Sequence, residues 1–302
     1  MEKKGIWKYS SYLPLIAGKY KLTLGEGSTP LVKKNGIWFK CEYKNPSGSV
    51  KDRSICYQFA KLKEEKFDKA VISSSGNAAI SASYYAKLHE IPLNVFVSEH
   101  INRLKLSEIR ENAKVIKSEK PVSRAVREAL DSKTKNLRQS TDPYGSVGYR
   151  TISLEINEIL PGVDAVFIPV SSGAILKGVF QGFAGLARNV ALHAVQSTKI
   201  HKIAEVFDHD FIHEENSFAD SIVAKYLPLK DEVQKIIKST RGSAWVISNQ
   251  EIILNKKYLD GLGLESSYEG GLVLAALHKA EKKGFKYKNP VCLLTGKFYA
   301  SN

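Results

Sequence analysis

The chain has 302 residues, 43% of them hydrophobic, which is enough for a large core in one or two domains. Its formal net charge is +14, but the basic residues are spread through the chain instead of forming an arm, so nucleic acid is not expected as a partner. No apolar run reaches the roughly 20 residues of a membrane span, the first residues lack an apolar signal core, and the three cysteines are scattered, so we expect a cytoplasmic protein without a membrane partner.

Short apolar runs alternate with segments of helical periodicity along almost the whole chain. The predicted strands are residues 36–43, 69–74, 93–98, 114–117, 165–170, 191–196, 244–248 and 291–294. The predicted helices are residues 51–65, 77–88, 101–112, 122–132, 148–160, 175–187, 250–259 and 268–283. This alternation predicts α/β layers with mainly parallel sheets, and the number of strands predicts two sheets in two domains. The least regular stretch, 133–146, is expected to be the crossover.

One predicted helix starts with a chemically distinctive lysine. Asn-Pro and Ser-Gly turn dipeptides at 45–48 precede the helix at 51–65, with Ser49 as its expected N-cap. Lys51 therefore lies at a helix N-terminus, where the helix dipole and desolvation both disfavour an ammonium charge. A neutral amine attacks aldehydes, and the common biological case is a Schiff base with pyridoxal phosphate, or PLP. Taken alone, the residue is better explained as a solvated lysine that begins an ordinary helix.

Three predicted strands end in small polar residues, and the sites of α/β sheets lie at the carboxyl ends of strands. The Ser-Ser-Gly-Asn sequence at 74–77 precedes an alanine-rich helix whose N-terminal amides would bind a carboxylate. Taken alone, it is an Asn N-cap after a glycine turn. The loop at 171–174 and the helix after it would bind an anion through backbone amides. The Thr-Gly sequence at 295–296 ends the last strand, where an ordinary turn is the alternative.

Together and in this order, these segments resemble the fold-type II PLP enzymes of the tryptophan synthase β-like superfamily, and most closely the threonine synthase family. The matching segments are Gly-Glu-Gly-Ser-Thr-Pro-Leu at 25–31, the lysine segment at 45–53, and the loops at 74–77, 170–174 and 295–296. The resemblance covers about residues 20–296. It implies two three-layer α/β domains with mainly parallel sheets and PLP in the cleft between them. The smaller domain would be residues 35–147, and the larger would be 1–34 with 148–302.

The resemblance also implies a role for each residue of the site. Lys51 would hold the cofactor and remove the α-proton of the substrate. The remaining cofactor contacts would be Asn77 at the phenolic oxygen, Ser171, Ser172, Gly173, Ala174 and Ile175 at the phosphate, and Thr295 at the ring nitrogen. The substrate would bind Ser74, Ser75, Gly76, Asn77, Ser140 and Arg150. A neutral threonine hydroxyl cannot protonate the ring, which favours elimination and replacement over transamination.

The chain departs from the family pattern at residues that bind the substrate. Gly145 replaces the usual arginine, Ala78 replaces a frequent threonine, and residues 266–269 differ from the usual Glu-Pro-Ala-Ser. Arg150 follows one helical turn after Gly145, where it would substitute for the missing arginine. Without that compensation, we expect a phosphorylated substrate to bind weakly.

The resemblance implies a PLP-dependent lyase that converts O-phosphohomoserine to threonine. A serine/threonine ammonia-lyase, a β-replacement enzyme of the cysteine synthase type, and a catalytically silent relative that keeps the fold are the alternatives. In each enzymatic case the partner is a small amino acid, no metal is expected in the site, and the chain is expected to form a homodimer.

Overall fold

The computed structural model describes residues 4–99, 101–131 and 133–300. Contacts divide the chain into two compact units. Unit 1 contains the residues up to Gly27, Asn45–Gly148 and the residues from Tyr299 onward, and unit 2 contains Ser28–Lys44 and Tyr149–Phe298. The division expected from the sequence assigned residues 1–34 to the larger domain, whereas these contacts group the residues up to Gly27 with unit 1.

The described residues form ten strands and nine α-helices. The strands are β1 Leu31–Lys34, β2 Ile37–Cys41, β3 Lys69–Ser73, β4 Leu93–Val97, β5 Lys114–Lys117, β6 Thr134–Asn136, β7 Ala165–Pro169, β8 Ala191–Ser197, β9 Ala244–Ile247 and β10 Pro290–Leu294. The helices are α1 Lys51–Glu64, α2 Asn77–His89, α3 Arg103–Arg110, α4 Pro121–Asp131, α5 Arg150–Ile159, α6 Ala174–Gly185, α7 Lys230–Ser239, α8 Asn249–Gly261 and α9 Tyr268–Lys282. Within this part of the chain, no helix has the length and apolarity needed to cross a membrane.

Unit 1 is built on a parallel four-stranded sheet in the order β5-β4-β3-β6. Helices α1 and α2 contribute to the main apolar cluster of this unit, and α4 covers Val71 of β3 and Phe96 of β4 with Ala125. Because both faces of the sheet are covered, its inner strands are mainly apolar instead of alternating between apolar and polar residues. The result is a three-layer arrangement in which β3 leads directly into α2.

Unit 2 is built on a six-stranded sheet in the order β1-β2-β10-β7-β8-β9. Strand β1 pairs antiparallel with β2, and the other neighbours are parallel. Helix α9 packs against the sheet and against α8, where Gly271 allows close approach: a Cβ at Gly271 would lie 2.4 Å from the carbonyl oxygen of Ile252. Since β7, β8, β9 and β10 run in parallel, their carboxyl ends share one edge of the sheet.

The predicted α/β fold class is confirmed, as are all eight predicted strands and all eight predicted helices, with ends that move by one or two residues. The helix end predicted at residue 132 lies outside the described residues. Three elements were missed: β1, β6 and α7. Strand β1 is a half-exposed edge strand and β6 has only three residues, so neither carries a clear apolar pattern. Helix α7 buries Val233, Ile236 and Ile237 at helical spacing, a periodic signal that our prediction overlooked.

Candidate active site

Lys51 is the first residue of α1 in unit 1. Burial lowers the pKa of its ammonium group from 10.5 to about 8, because desolvation penalises the charged form. The expected N-cap at Ser49 is wrong: Val50 is the cap, with helical backbone angles, and Ser49 Oγ accepts only a long bond of 3.4 Å from Lys51 N. The chain already turns helically before Lys51, since Arg53 N donates to Val50 O at 3.3 Å. The lysine is therefore held by the turn as well as by the helix.

Asp52 attaches that turn to α1. Its buried carboxylate accepts a hydrogen bond of 2.7 Å from Ser47 N and a short one from Ser47 Oγ. Burial raises the pKa of Asp52 to about 6, although the bonds from Ser47 lower it. A second contact fixes the start of the turn, where Asn45 Oδ1 accepts from Gly27 N at 2.9 Å. These bonds hold the residue next to Lys51 in one position.

The loop at 74–77 joins β3 to α2. Gly76 is the N-cap of α2, Ser74 Oγ accepts from Gly76 N at 3.2 Å, and Ser75 Oγ accepts from Ser98 N at 3.2 Å. These contacts of Ser74 and Ser75 fix the shape of the loop. The N-terminus of the 13-residue helix α2 follows it directly. Asn77 is half-buried, and its side-chain amide has no hydrogen-bond partner among the residues that the structure describes. The loop thus presents amide and hydroxyl donors, which suit a carboxylate.

The turn around Gly145 excludes a side chain at that position. A Cβ on Gly145 would lie 2.1 Å from the carbonyl oxygen of Gln139. Gly145 is also fixed by hydrogen bonds, since its N–H donates to Asp142 O at 2.9 Å and its carbonyl accepts from Ser54 Oγ at 2.7 Å. Ser140, the retained family serine, is buried in the same turn. An arginine at position 145 is therefore incompatible with this turn as it is built.

Arg150 is the first residue of α5 in unit 2, and it is half-buried. Its Nε donates to Gln181 Oε1 of α6 at 3.1 Å. The guanidinium therefore contributes to the packing of α5 against α6. Its predicted role as a replacement for the missing arginine stays a prediction.

The loop at 170–173 joins β7 to α6 in unit 2. Gly173 is the N-cap of α6 with a φ of 94°, in the left-handed region that favours glycine. A Cβ there would lie 2.5 Å from Val233 Cγ2 of α7. The buried Gln196 side chain holds the start of the loop, because its Nε2 donates to Val170 O at 3.2 Å. The 12-residue helix α6 therefore has a fixed, glycine-capped N-terminus that suits an anion.

Ser171 in this loop is held from the opposite side by a distant segment. Its Oγ accepts hydrogen bonds of 3.2 Å from both Val223 N and Ala224 N. Sequence reasoning placed Ser171 in the site but missed the segment around residues 211–226 that contacts it. This segment contains neither helix nor strand, so it has no periodic pattern by which to recognise it.

Thr295 directly follows β10 and is 8% exposed. The next residue is fixed, because Gly296 O accepts from Ser267 N at 2.8 Å. Within residues 4–99, 101–131 and 133–300, the Thr295 hydroxyl has no protein hydrogen-bond partner. A buried hydroxyl at the carboxyl edge of a parallel sheet suits a neutral ring nitrogen.

The motif at 25–31 has a structural role that the sequence analysis did not assign. In unit 2, the fully buried Lys40 Nζ contacts Glu155 Oε2 at 2.6 Å and Thr29 O at 2.6 Å. Glu155 Oε1 also accepts from Ser28 N at 2.7 Å, and Thr29 Oγ1 donates to Glu42 Oε1 at 2.6 Å. The buried charges are thus paired and hydrogen-bonded, as burial requires. The motif itself was the sequence signal for this network.

Residues 22–296 match a protein family described as "Pyridoxal-phosphate dependent enzyme". The chain belongs to this family. It is 27% identical over 316 residues to a threonine synthase from Bacillus sp. (strain ULM1), covering 97% of this chain and 89% of that protein. It is 29% identical over 167 residues to an L-threonine ammonia-lyase from Thermotoga maritima, covering 53% of this chain and 42% of that protein.

The fold also matches solved structures. The structure of maize serine racemase matches with a TM-score of 0.80 and 21% sequence identity, covering 90% of this chain and 88% of that chain. The chain is therefore a fold-type II, PLP-dependent lyase. The predicted family, fold class and cofactor are confirmed.

The residues present fit PLP. Lys51 supplies an amine whose pKa of about 8 leaves a useful neutral fraction near neutral pH. The capped N-terminus of α6 and the hydroxyls of Ser171 and Ser172 supply donors of the kind that a phosphate needs. Thr295 supplies a neutral hydroxyl. PLP, when bound, supplies an electron sink for negative charge that develops at the α-carbon of an amino acid.

Proposed function

We propose that the chain is an amino-acid lyase of the threonine synthase type, which converts O-phosphohomoserine to threonine. The observation that carries a lyase is Lys51, an amine with a lowered pKa at the start of α1 in the family's lysine segment. The choice of threonine synthase is supported by the similarity to that enzyme over 97% of the chain.

Lys51 has two tasks in this proposal. Its Nζ would hold the cofactor, and as a free neutral amine it would accept the α-proton of the substrate. A pKa of about 8 serves both tasks near neutral pH, because a neutral amine accepts protons and a pKa near the working pH also lets it return them. The bonds between Asp52 and Ser47 hold the start of α1 while the proton moves.

The remaining residues bind and orient. The amides of the 74–77 loop receive the substrate carboxylate, and the Asn77 amide donates to the phenolic oxygen of the cofactor. The amides of residues 171–175, with the Ser171 and Ser172 hydroxyls, receive the cofactor phosphate. The Thr295 hydroxyl contacts the ring nitrogen without charging it, which favours loss of a side-chain group over transamination. Ser140 and Arg150 are proposed to contact the substrate.

A second candidate is favoured by Gly145. Phosphate recognition ordinarily uses a bidentate arginine, and the turn at Gly145 has no room for one. The loss of one charge-assisted contact costs roughly 1.5–3 kcal/mol, or about 10- to 100-fold in affinity. A substrate with a hydroxyl leaving group needs no such contact, so deamination of serine or threonine is the alternative. A relative of that activity, the ammonia-lyase from Thermotoga maritima, resembles half of this chain.

Two experiments test the proposal. Borohydride reduction of the holoenzyme followed by peptide mapping should place the pyridoxyl group on Lys51, and label on another lysine would end the assignment. Steady-state kinetics should then compare O-phosphohomoserine with serine, threonine and O-acetylserine. Efficient deamination of threonine would promote the ammonia-lyase, and turnover of O-acetylserine with a sulfur nucleophile would promote the β-replacement enzyme.

The role of Arg150 needs a variant of its own. Arg150→Ala should raise KM for O-phosphohomoserine by about 10-fold or more if the guanidinium binds the phosphate. KM for serine should stay unchanged, since serine carries no phosphate. Gln181→Ala is the matched control, because it removes the α6 partner of Arg150 and leaves the guanidinium in place. Unaltered KM for phosphohomoserine in Arg150→Ala would remove Arg150 from the site.

A homodimer and a cytoplasmic location remain part of the proposal. Both accompany the enzyme type and neither rests on a contact in this chain. Sedimentation equilibrium of the holoenzyme checks the first, and a monomer at all concentrations would contradict it.

A further inference from the structure

One segment of unit 2 has no regular secondary structure and yet makes specific hydrogen bonds along its length. This segment, residues 211–226, is called the strap below. Its contacts reach residues that follow three parallel strands: Ser171 after β7, Thr198 after β8 and Asn249 after β9. Because the carboxyl ends of these strands share one edge, the strap runs along the edge of the sheet where α/β proteins bind ligands.

The strap is attached at its first half by Glu214 and Asn249. Glu214 Oε2 accepts a short bond from Thr198 Oγ1 and one of 2.9 Å from Asn249 N. In the Asn249 side chain, Nδ2 donates to Asn216 O at 2.9 Å and Oδ1 accepts from Phe218 N at 3.0 Å. The Phe218 ring also packs on Tyr268 of α9, with centroids 5.2 Å apart. The first half of the strap is therefore fixed to α8 and α9.

The second half of the strap is attached by backbone N–H groups. Ser221 N donates to Glu269 Oε1 at 2.9 Å, and Val223 N and Ala224 N donate to Ser171 Oγ. Two of its side chains, Ala219 and Ile222, are buried in the core of unit 2, whereas Val223 is 65% exposed and Tyr226 is 64% exposed. Because the strap lacks the hydrogen-bond ladders of helices and strands, it opens locally more readily than they do, and the loss or gain of one contact shifts its opening equilibrium.

The hydrogen bonds at Ser171 determine what its hydroxyl can do. A serine hydroxyl offers one hydrogen and two lone pairs. Both lone pairs face donors here, the amides of Val223 and Ala224, so the hydroxyl hydrogen is left for another acceptor. No acceptor for it lies within hydrogen-bond distance in the part of the chain that the structure describes. The strap therefore makes Ser171 a donor that points away from it, as an anion at the N-terminus of α6 requires.

We propose that the strap positions Ser171 for the cofactor phosphate, and that phosphate binding in turn orders the strap. Donation of the Ser171 hydroxyl to an anion makes its oxygen a better acceptor for the two strap amides, since linked hydrogen bonds polarise one another. The coupling is reciprocal: whatever loosens the strap weakens phosphate binding, and whatever removes the phosphate loosens the strap. This inference rests on the proposed phosphate role of residues 171–175.

Amide hydrogen exchange of the strap tests the coupling without any assay of activity. In the wild-type chain freed of PLP, addition of PLP or of inorganic phosphate should slow exchange in the peptides covering 217–226 by about 10-fold. Ser171→Ala should exchange about 10-fold faster than wild type without ligand, because two amides lose their acceptor, and ligand should no longer slow it. Ser171→Thr keeps the hydroxyl and should restore protection.

Ser172→Ala is the matched control, since it removes a hydroxyl from the same loop but no strap contact. In this variant, saturating phosphate should slow amide hydrogen exchange of the strap as it does in wild type. Glu269 also accepts a short bond from Ser267 Oγ, so Ser267→Ala serves as the control for that contact. The second variant, Glu269→Gln, weakens the acceptor of Ser221 N and leaves residues 171–175 unchanged. Its affinity for PLP, measured by absorbance titration, should fall by about 3- to 10-fold through the coupling.

The outcomes separate this inference from the cofactor assignment on which it rests. Equal slowing in Ser171→Ala and wild type would overturn the coupling, and so would PLP binding that leaves strap exchange unchanged. In both cases the phosphate assignment would stand. If PLP affinity is the same in wild type, Ser171→Ala and Ser172→Ala, the phosphate assignment itself fails, and the coupling fails with it.

Discussion

The titration of Lys51 gives the sharpest test of the site. Burial lowers the pKa of Lys51 to about 8 from an ordinary 10.5. At pH 7 a pKa of 8 leaves roughly 9% of the amine neutral, against roughly 0.03% at a pKa of 10.5, a ratio of about 300. The neutral form is the one that attacks an aldehyde and accepts a proton. The family role of Lys51 therefore depends on this shift.

The assay is trace acetylation of the PLP-free protein from pH 6 to pH 11, with the label measured by mass spectrometry for each lysine. Lys51 should label with a midpoint near pH 8. The matched control is Lys61 on the same helix, whose Nζ donates to Glu64 Oε2 at 2.7 Å and whose pKa is raised by that bond. Lys61 should therefore label with a midpoint above that of an ordinary lysine.

The midpoint decides the question, because the labelling rate also depends on access and on nucleophilicity. A Lys51 midpoint near 10.5, equal to its value in the urea-unfolded chain, would refute the argument from desolvation. The same shift predicts how stability varies with pH. The unfolded chain holds the Lys51 proton up to higher pH than the native state, so the penalty for burying this lysine is present below pH 8 and disappears between about pH 8 and 10.5.

Three further predictions concern other residues of the site. Gly145→Ala should lower the free energy of unfolding, measured in urea, by about 1–3 kcal/mol, because its Cβ meets the Gln139 carbonyl. The control Gly18→Ala, whose Cβ has nothing within 4 Å, should leave the stability unchanged. Equal stabilities of the two variants would refute the clash. The pKa of Asp52 is raised from 3.8 to about 6. Protonated Asp52 therefore stabilises the native protein at low pH, and this stabilisation is lost as the pH rises from about 4 to 6. The melting temperature of wild type relative to Asp52→Asn should fall over that window and be level above pH 7; a pH-independent difference would contradict the shift. Thr295→Asp should change the visible spectrum of the holoenzyme and slow elimination, because a carboxylate would favour a protonated ring nitrogen; an unchanged spectrum and turnover would remove Thr295 from the ring.

Local patterns along the chain were sufficient for the fold class and for a proposal of the site. Apolar runs such as β7 and helical periodicity such as that of α1 are properties of 5 to 14 consecutive residues, so they can be read without knowing what packs against them. The motifs at 45–53, 74–77 and 295–296 are also local, and each lies where an element begins or ends in the structure. Turn chemistry and helix starts are decided within a few residues, which is why these element boundaries could be predicted.

Elements with weak local patterns were not found. Strand β6 has three residues and is a strand because it pairs with β3, more than 60 residues earlier in the chain. Ser49 looked like an N-cap by residue type, but the chain was already helical at Val50, and backbone geometry prevailed over the preference of the side chain. In both cases the deciding contact or angle is not encoded in the residue type alone.

Only the tertiary structure determined which residues far apart in the chain contact each other. The exclusion of a side chain at Gly145 depends on how the turn folds back on Gln139, and the buried pair of Lys40 and Glu155 joins residues 115 positions apart. The hydrogen bonds from Val223 N and Ala224 N to Ser171 Oγ join residues more than 50 positions apart. The sequence by itself determined the class of protein and the lysine that marks it, because helix starts and strand ends are local events. The direction in which the Ser171 hydroxyl donates was decided by the tertiary structure, since it depends on which distant amides occupy its lone pairs.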